Sequence, residues 1–242
     1  MPDTKPDFDI RAFRNALVEW FRREGKDYPW RRTTDPWHIL VSELMLQQTT
    51  IPTVLGRYER WMRQFPTPGH LASVDEQTAL RSWEGLGYYR RVRSLQAIAR
   101  EIVHEFGGEF PDNPEGLKRL PGIGPYTSGA LLSFAFNKAA PIVDANVARV
   151  LARIDNYSVP VDSTEGLKYL WTRAENLVDP EHARQFSHHG IGADLLQDQR
   201  AGLPALPRAP ILFRGAAGNA ACQESQAGNY PGGTPRRSLP PR

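Results

Sequence analysis

Apolar residues recur every three or four positions along most of the chain, which is the spacing of one face of an α-helix. The first such run follows Asp9, a candidate N-cap, and its apolar face consists of Ile10, Phe13, Leu17, Trp20 and Phe21. A second run begins at Asp35 and Pro36, an N-cap followed by proline at the first helical position, and its apolar face consists of Trp37, Leu40, Val41, Leu44 and Met45.

Further stripes with helical spacing cover residues 51–65, 92–106 and 167–177, with shorter helices predicted between them. Glycine and proline separate these runs, as at Gly107 and Gly108. No segment alternates apolar and polar residues for long enough to predict a β-strand. The pattern therefore predicts an all-α protein of many short helices.

Glu43 lies within the second predicted helix, one position away from its apolar face. On the pattern alone, a solvated glutamate is the favoured interpretation. Gln47 and Gln48 end this helix with polar side chains.

The charge of the chain is unevenly distributed. The formal net charge is +3, but six arginines and one glutamate follow residue 199, which leaves −2 for the remainder. DNA binding by the main body would therefore depend on local clusters such as Arg31-Arg32 and Arg90-Arg91-Arg93, together with backbone amides. For each cluster, an ordinary solvated face is the competing interpretation.

The composition also restricts location and cofactor. The first residues are polar and lack the apolar core of a signal peptide, and no run is long enough to span a bilayer, so a cytoplasmic protein is expected. Cys222 is the single cysteine, which excludes a disulfide framework and a metal site built from cysteines. The adjacent His188 and His189 have no further candidate ligands beside them and do not predict a metal site.

The stretch between Leu120 and Arg149 organises the rest of the chain. Its turn, Pro121-Gly122-Ile123-Gly124-Pro125, joins two predicted helices, and the turn amides together with the next helix N-terminus suit a phosphate. A plain connecting turn is the alternative. Asp144 then precedes another helical run, where it is either a functional carboxylate or an N-cap.

This stretch, LPGIGPYTSGA followed by PIVDANVARVLAR, resembles the helix-hairpin-helix and Gly/Pro…Asp loop of base-excision DNA glycosylases. Two more motifs, VSELMLQQT and WEGLGYYRR, resemble those of the adenine DNA glycosylases of the MutY family. The resemblance covers about residues 13–186 and implies a two-lobed helical fold. Residues 30–138 would form a six-helix lobe with the hairpin, residues 1–29 and 139–186 the second lobe, and residues 187–242 a disordered tail.

The resemblance implies roles for four residues in excision. Glu43 would protonate the adenine ring and later help to activate water, and Asp144 would stabilise or transiently trap the sugar cation. Tyr126 and Asn146 would support them. In bifunctional relatives a lysine takes the place of Tyr126 and forms a Schiff base, so a monofunctional enzyme without efficient strand cleavage is expected.

The resemblance also implies a partner and its contacts. The partner would be double-stranded DNA in which adenine is mispaired with 8-oxoguanine or guanine, bound by a monomer. Gln48 and Tyr88 match positions that probe or wedge the base stack. The remaining DNA-binding positions would be Trp30, Arg31, Gly122, Gly124 and Thr127.

The chain departs from the family after Phe186. There the family has four cysteines, spaced C-x6-C-x2-C-x5-C, that hold a [4Fe-4S] cluster, and this chain has none of them. A one-base shift in reading frame can turn Leu196, Leu203, Leu206 and Leu212 into cysteines, and six, two and five residues separate these positions. The same shift lets residues 189–192 read Met-Glu-Leu-Gly, as in the family. A frameshifted tail is therefore the favoured hypothesis, with a weakly stable chain that binds DNA poorly as its consequence.

Two alternatives remain open at this point. TTDPW and DAN also occur in thymine or uracil mismatch glycosylases, whereas LMLQQT and GLGYYRR favour adenine. The chain could instead be an inactive remnant that only binds DNA weakly.

Overall fold

A computed structural model describes residues 9–186 of the 242-residue chain. The predicted tail, residues 187–242, lies outside the described residues, as do His188 and His189. Residues 9–186 contain helices and turns but no β-strand, which confirms the all-α prediction for this part of the chain. None of its helices combines the length and apolar content needed to cross a bilayer.

The helices follow the predicted order closely. They are α1 (Ile10–Glu24), α2 (Pro36–Leu46), α3 (Ile51–Gln64), α4 (Pro68–Ala72), α5 (Glu76–Ser82), α6 (Arg90–Glu105), α7 (Pro114–Arg119), α8 (Pro125–Ala130), α9 (Ala145–Ile154), α10 (Thr164–Leu177) and α11 (Ala183–Phe186). A 3₁₀ turn covers Pro29–Arg31, and a π-helical turn, Leu131–Ala135, continues α8.

Side-chain caps explain where several helices begin. Asp9 accepts a hydrogen bond from the Ala12 amide before α1, and Asp35 accepts from the Trp37 amide before α2. Ser163 does the same for α10 through the Gly166 amide. These three N-caps were predicted from sequence or lie directly before a predicted run.

The apolar residues form separate clusters. The largest extends from Trp30 to Ala140 and contains the fully buried Trp37 and Trp83. A second joins α9 and α10 through residues such as Leu151 and Leu170, and a third packs α1 on α9. Residues near the two ends of the described chain thus share their packing, while the middle of the chain has a core of its own.

Candidate active site

Glu43 is buried within α2, with a relative exposure of 2%. Eight of the eleven residues of this helix are buried, including Ser42 and Leu44 on either side of Glu43. The interpretation of Glu43 as a solvated glutamate is therefore wrong. The reason is tertiary packing, because α2 contacts α3, α6, α8 and the π-helical turn and leaves little of its surface in water.

A recess opens beside Glu43 at the junction of several elements. Trp30, in the 3₁₀ turn, forms one wall, and its ring stacks on Tyr28 at 5.3 Å and meets the edge of Tyr58. The residues that line the recess are Trp30, Arg31, Thr33, Ile39, Ser42, Glu43, Phe134 and Arg184. The recess combines a carboxyl group, two cations and aromatic walls in a volume of about 10 Å³, which is the space of one water molecule.

Arg31 is held in place by the chain around it. Its Nη1 donates to the Lys26 carbonyl oxygen at 2.7 Å, and its guanidinium lies over the rings of Phe21 and Tyr28. The side chain is thus fixed at the recess by aromatic faces and one carbonyl.

Tyr126 connects Glu43 with Asp144. It lies in the first turn of α8 with 7% exposure, and its hydroxyl donates a hydrogen bond to Glu43. Burial raises the pKa of Tyr126 well above its ordinary value, and the negative charges of Glu43 and Asp144 raise it further. Tyr126 therefore remains a neutral hydrogen-bond donor at physiological pH.

Asp144 is the N-cap of α9, as the sequence allowed. Its Oδ1 accepts hydrogen bonds from the backbone amides of Asn146 at 3.0 Å and Val147 at 2.7 Å. Its Oδ2 accepts from Asn146 Nδ2 at 3.4 Å, and Arg149 donates to Asn146 Oδ1. The capping interpretation is thus correct, and the same carboxylate also reaches Tyr126 electrostatically.

Gly129 allows the Asp144 segment to approach α8. A Cβ at Gly129 would lie 2.2 Å from the Pro141 carbonyl oxygen and 3.3 Å from Ile142. Backbone atoms would meet this Cβ, so any larger residue would push the 141–143 segment away. Gly129 therefore brings the chain before Asp144 next to the helix that carries Tyr126.

The hairpin turn has one glycine that its backbone requires. Gly122 has φ +79°, in the left-handed region, whereas Gly124 is an extended N-cap with φ −89°. Pro121 and Gly122 are exposed, but Thr127 is buried with 5% exposure. The Thr127 side chain is thus not on the surface, because the first turn of α8 faces the core.

Gln48 and Tyr88 lie on exposed turns with unusual backbones. Gln48 has φ +54° and Tyr88 has φ +45°, a region that residues other than glycine rarely occupy. Such a conformation costs about 1–3 kcal/mol and persists when the surroundings impose it. Tyr88 is 61% exposed, so its ring is presented to the outside.

Arg91 corrects one prediction about charge. The sequence grouped it with Arg90 and Arg93 as a candidate DNA-binding or solvated cluster, but it is buried with 5% exposure. Arg90 and Arg93 are exposed, and Arg93 pairs with Glu76 at 2.7 Å. Arg91 turns inward because its position in the first turn of α6 faces the carbonyl end of α2.

No metal centre is formed by the described residues, because residues 9–186 contain no group of three or more potential metal ligands. The [4Fe-4S] cluster that the resemblance implies does not fit the chain as it stands. Such a cluster requires four thiolates, and Cys222 is the only cysteine.

The middle of the chain matches a known family. Residues 41–172 match the model described as HhH-GPD superfamily base excision DNA repair protein. The chain belongs to the HhH-GPD superfamily. This stretch includes Glu43, the hairpin turn, Tyr126 and Asp144. The predicted relationship to base-excision DNA glycosylases is thereby confirmed.

Several relatives of this HhH-GPD protein are adenine DNA glycosylases. The human enzyme is 40% identical over 214 residues, which are 84% of this chain and 39% of that protein. The Mycobacterium tuberculosis enzyme is 40% identical over 158 residues, 63% of this chain and 52% of that protein. The chain thus spans about two fifths to a half of the length of these relatives.

A shorter relative aligns over most of its length. The thymine/uracil-DNA glycosylase of Pyrobaculum aerophilum is 36% identical over 184 residues, 74% of this chain and 80% of that protein. The solved structure of a thermostable thymine-DNA glycosylase aligns with a TM-score of 0.69, at 27% identity over 84% of this chain and 90% of that one. An endonuclease III–DNA covalent intermediate shares the fold, with a TM-score of 0.59.

Sequence reasoning did not find Arg184 or Ser42 as residues of the recess. Arg184 Nε donates to the Phe134 carbonyl oxygen at 2.6 Å, and its Nη2 donates to Ala135 at 3.1 Å. These carbonyls belong to the π-helical turn. The pattern around Arg184 contains no signal for this contact, since the two residues that accept its hydrogen bonds lie about fifty positions earlier.

Proposed function

We propose that this HhH-GPD protein is a DNA glycosylase that hydrolyses the N-glycosidic bond of adenine mispaired with 8-oxoguanine or guanine. The arrangement that carries the proposal is Tyr126, hydrogen-bonded to the buried Glu43 and within the electrostatic reach of Asp144. Glycoside hydrolysis uses two carboxyl groups in different environments, one as an acid and one as an anion.

Glu43 is the proposed general acid. Removal of a base requires a proton on the leaving ring, which a carboxyl group beside the bound base can supply. The recess beside Glu43 would have to widen to receive the base after it leaves the stack. The Tyr126 hydroxyl orients the Glu43 carboxyl group through its hydrogen bond. After bond cleavage, Glu43 would help to activate the water that attacks the sugar.

Asp144 is the proposed anion beside the developing sugar cation. Two backbone amides and the Asn146 side chain fix the direction of its carboxylate. A charge held in place before the reaction stabilises a transition state without reorganisation. Tyr126 supplies no amine, so the enzyme is proposed to be monofunctional.

DNA binding is proposed to involve the exposed turns and the hairpin. Gln48 and Tyr88 would enter the base stack, where an aromatic wedge favours unstacking. Gly122 and Gly124 would present backbone amides to a phosphate, and Trp30 and Arg31 would contact the flipped strand. Because the Thr127 side chain is buried, its contribution would come from the backbone amide.

The two lobes suggested by the sequence also belong to the proposal. Separate apolar clusters on either side of residue 140 support a division into 30–138 and 1–29 with 139–186. The site residues lie on both parts, since Glu43 and Tyr126 belong to the first and Asp144 to the second. A monomer located in the cytoplasm is likewise a proposal from sequence.

A pyrimidine mismatch glycosylase is the second candidate, because a thymine/uracil-DNA glycosylase aligns with this chain over 80% of its own length. The motifs LMLQQT and GLGYYRR favour adenine. The third candidate, an inactive remnant, predicts that substitutions at Glu43 and Asp144 change nothing measurable.

Single-turnover excision on defined duplexes tests the proposal. Duplexes with A:8-oxoguanine, A:G, G:T and G:U are compared, and products are analysed with and without alkali. We expect adenine release with strand breaks only after alkali. Release of thymine or uracil alone would support the second candidate, and strand breaks at enzyme rates without alkali would refute the monofunctional mechanism.

The frameshift hypothesis for residues 187–242 is tested in parallel with the excision assay. The gene is resequenced across codons 180–242, and the protein read in the shifted frame is assayed with the chain itself. We expect the shifted frame to restore the four cysteines and to bind DNA more tightly. The frameshift hypothesis is contradicted if sequencing confirms the present frame and the chain, in the absence of iron, unfolds cooperatively and binds mismatched DNA tightly.

A further inference from the structure

Arg91, in the first turn of α6, carries a buried guanidinium that has no part in the proposed excision chemistry. Burial lowers the pKa of Arg91 to about 10, so the group is charged at neutral pH. Its hydrogen-bond partners are five backbone carbonyl oxygens and one hydroxyl. The two terminal nitrogens make all of these hydrogen bonds, while the buried Nε makes none, and such a cation fixes the position of every segment that supplies an acceptor.

One guanidinium nitrogen holds the C-terminal end of α2. Nη1 donates to the carbonyl oxygens of Leu44 at 2.9 Å and Met45 at 2.8 Å, and also to that of Gln47. The last carbonyls of a helix lack helical partners and carry partial negative charge, so a cation is well placed there. The carbonyl of Gln47 directly precedes Gln48, whose φ is +54°.

The other terminal nitrogen, Nη2, holds the turn that precedes Tyr88. Nη2 donates to the carbonyl oxygens of Leu86 at 2.7 Å and Gly87 at 3.1 Å. It also donates to Thr49 Oγ1 at 3.0 Å. Thr49 directly follows Gln48, so Nη2 contacts both turns. The carbonyl of Gly87 directly precedes Tyr88, and the Tyr88 ring lies 5.5 Å from the Arg91 guanidinium.

We propose that Arg91 is a positioning residue that fastens the Gln48 and Tyr88 turns to each other, so that both side chains enter the base stack of DNA as one unit. The inference rests on the proposed glycosylase function. Both turns have left-handed backbones that need support from their surroundings. A planar fork reaches both sets of carbonyls at once, whereas the single ammonium group of a lysine does not.

The free protein provides the first test, by hydrogen exchange. Arg91→Lys is compared with Arg100→Lys, a matched control at an exposed position of the same helix. We expect about tenfold faster amide exchange in both 46–50 and 86–90 for Arg91→Lys, and no change for the control. Faster exchange in one turn only, or in neither, would overturn the proposal.

Unstacking of a target base provides the second test. A 2-aminopurine placed opposite 8-oxoguanine reports unstacking by fluorescence and needs no bond cleavage. We expect about tenfold less unstacking with Arg91→Lys, and no further loss when Tyr88→Ala is added, because coupled residues are non-additive. A loss of thermal stability with normal unstacking would show a merely structural role and overturn the proposal.

Thr49→Val serves as the milder variant if Arg91→Lys does not fold. It removes one acceptor of Arg91 with little change in volume, and we expect about threefold less unstacking. If Thr49→Val and the wild type unstack the target base to the same extent, including not at all, the inference is refuted. A wild type that unstacks the target without releasing adenine would instead refute the proposed function and leave the role of Arg91 intact.

Discussion

Glu43 and Asp144 both act on the Tyr126 hydroxyl, but their surroundings are opposite. Glu43 lies inside a helix whose residues are mostly buried, and 2% of its own surface is exposed. Asp144 is half-buried at a helix N-terminus, where two backbone amides and one side-chain amide point at its carboxylate. Glu43 is enclosed by packed helices and accepts a hydrogen bond from Tyr126, whereas Asp144 accepts hydrogen bonds from backbone and side-chain amides.

This difference indicates how two chemically similar groups can take different roles. Glycoside hydrolysis uses two carboxyl groups in different environments, one as an acid and one as an anion. In the proposed mechanism, proton donation belongs to Glu43 and charge stabilisation to Asp144. Substitutions at both carboxylates and at the residues that position them test these roles.

Glu43→Gln should abolish the proton transfer and preserve the size of the side chain. We expect adenine excision to fall about 10²–10⁴-fold, the range of general acid–base catalysis. Single-turnover kinetics measure the loss. A 7-alkylpurine, which is already cationic, should recover part of the rate, since it leaves without a further proton. No recovery on that substrate would remove the acid role from Glu43.

Asp144→Asn should remove the charge but keep the cap, because asparagine is as good an N-cap as aspartate. We expect unchanged thermal unfolding and an excision rate about 10²–10³-fold lower, by loss of electrostatic stabilisation. The cationic 7-alkylpurine should give no recovery here. If both variants respond alike to that substrate, the contrast between the two carboxylates is unfounded.

Gly129→Ala should separate the two carboxylates by displacing the segment before Asp144. The added Cβ would meet the Pro141 carbonyl oxygen at 2.2 Å, and overpacking of this kind costs about 1–3 kcal/mol. Denaturant unfolding measures the loss.

Gly56→Ala is the matched control for this substitution, because Gly56 is also helical and a Cβ there would meet nothing within 4 Å. We expect it to stabilise the protein by about 0.5–1 kcal/mol. Equal effects of the two substitutions would show that the Pro141 contact is unimportant.

Tyr126→Phe should have the smallest effect on excision, a few-fold loss from one hydrogen bond worth about 1 kcal/mol. It also changes the response to alkali. Because the folded-state pKa of Tyr126 is raised, only the unfolded chain releases this proton just above about pH 10, so wild-type stability falls there as pH rises. Urea midpoints at about pH 8 and 10.5 should differ less in the variant. An identical decline in both proteins would contradict the burial of a neutral Tyr126.

Local patterns predicted much of the fold. The helices begin at predicted caps such as Asp35 and Asp144, and glycines at predicted turns, such as Gly122, have φ values that require glycine. These features depend on residues near each other in sequence. The candidate site was found through motifs, since the spacing around Glu43 alone favoured a solvated side chain.

The sequence alone therefore determined the helices, their caps and the residues available for chemistry. The tertiary structure decided which of these residues are buried and which meet. It buried Glu43 and Arg91, which looked solvated, because α2 is packed by several helices and its last carbonyls face the start of α6. It also brought Arg184 to the recess. Burial and long-range contact depend on elements that are distant along the chain, and helical periodicity carries no information about them.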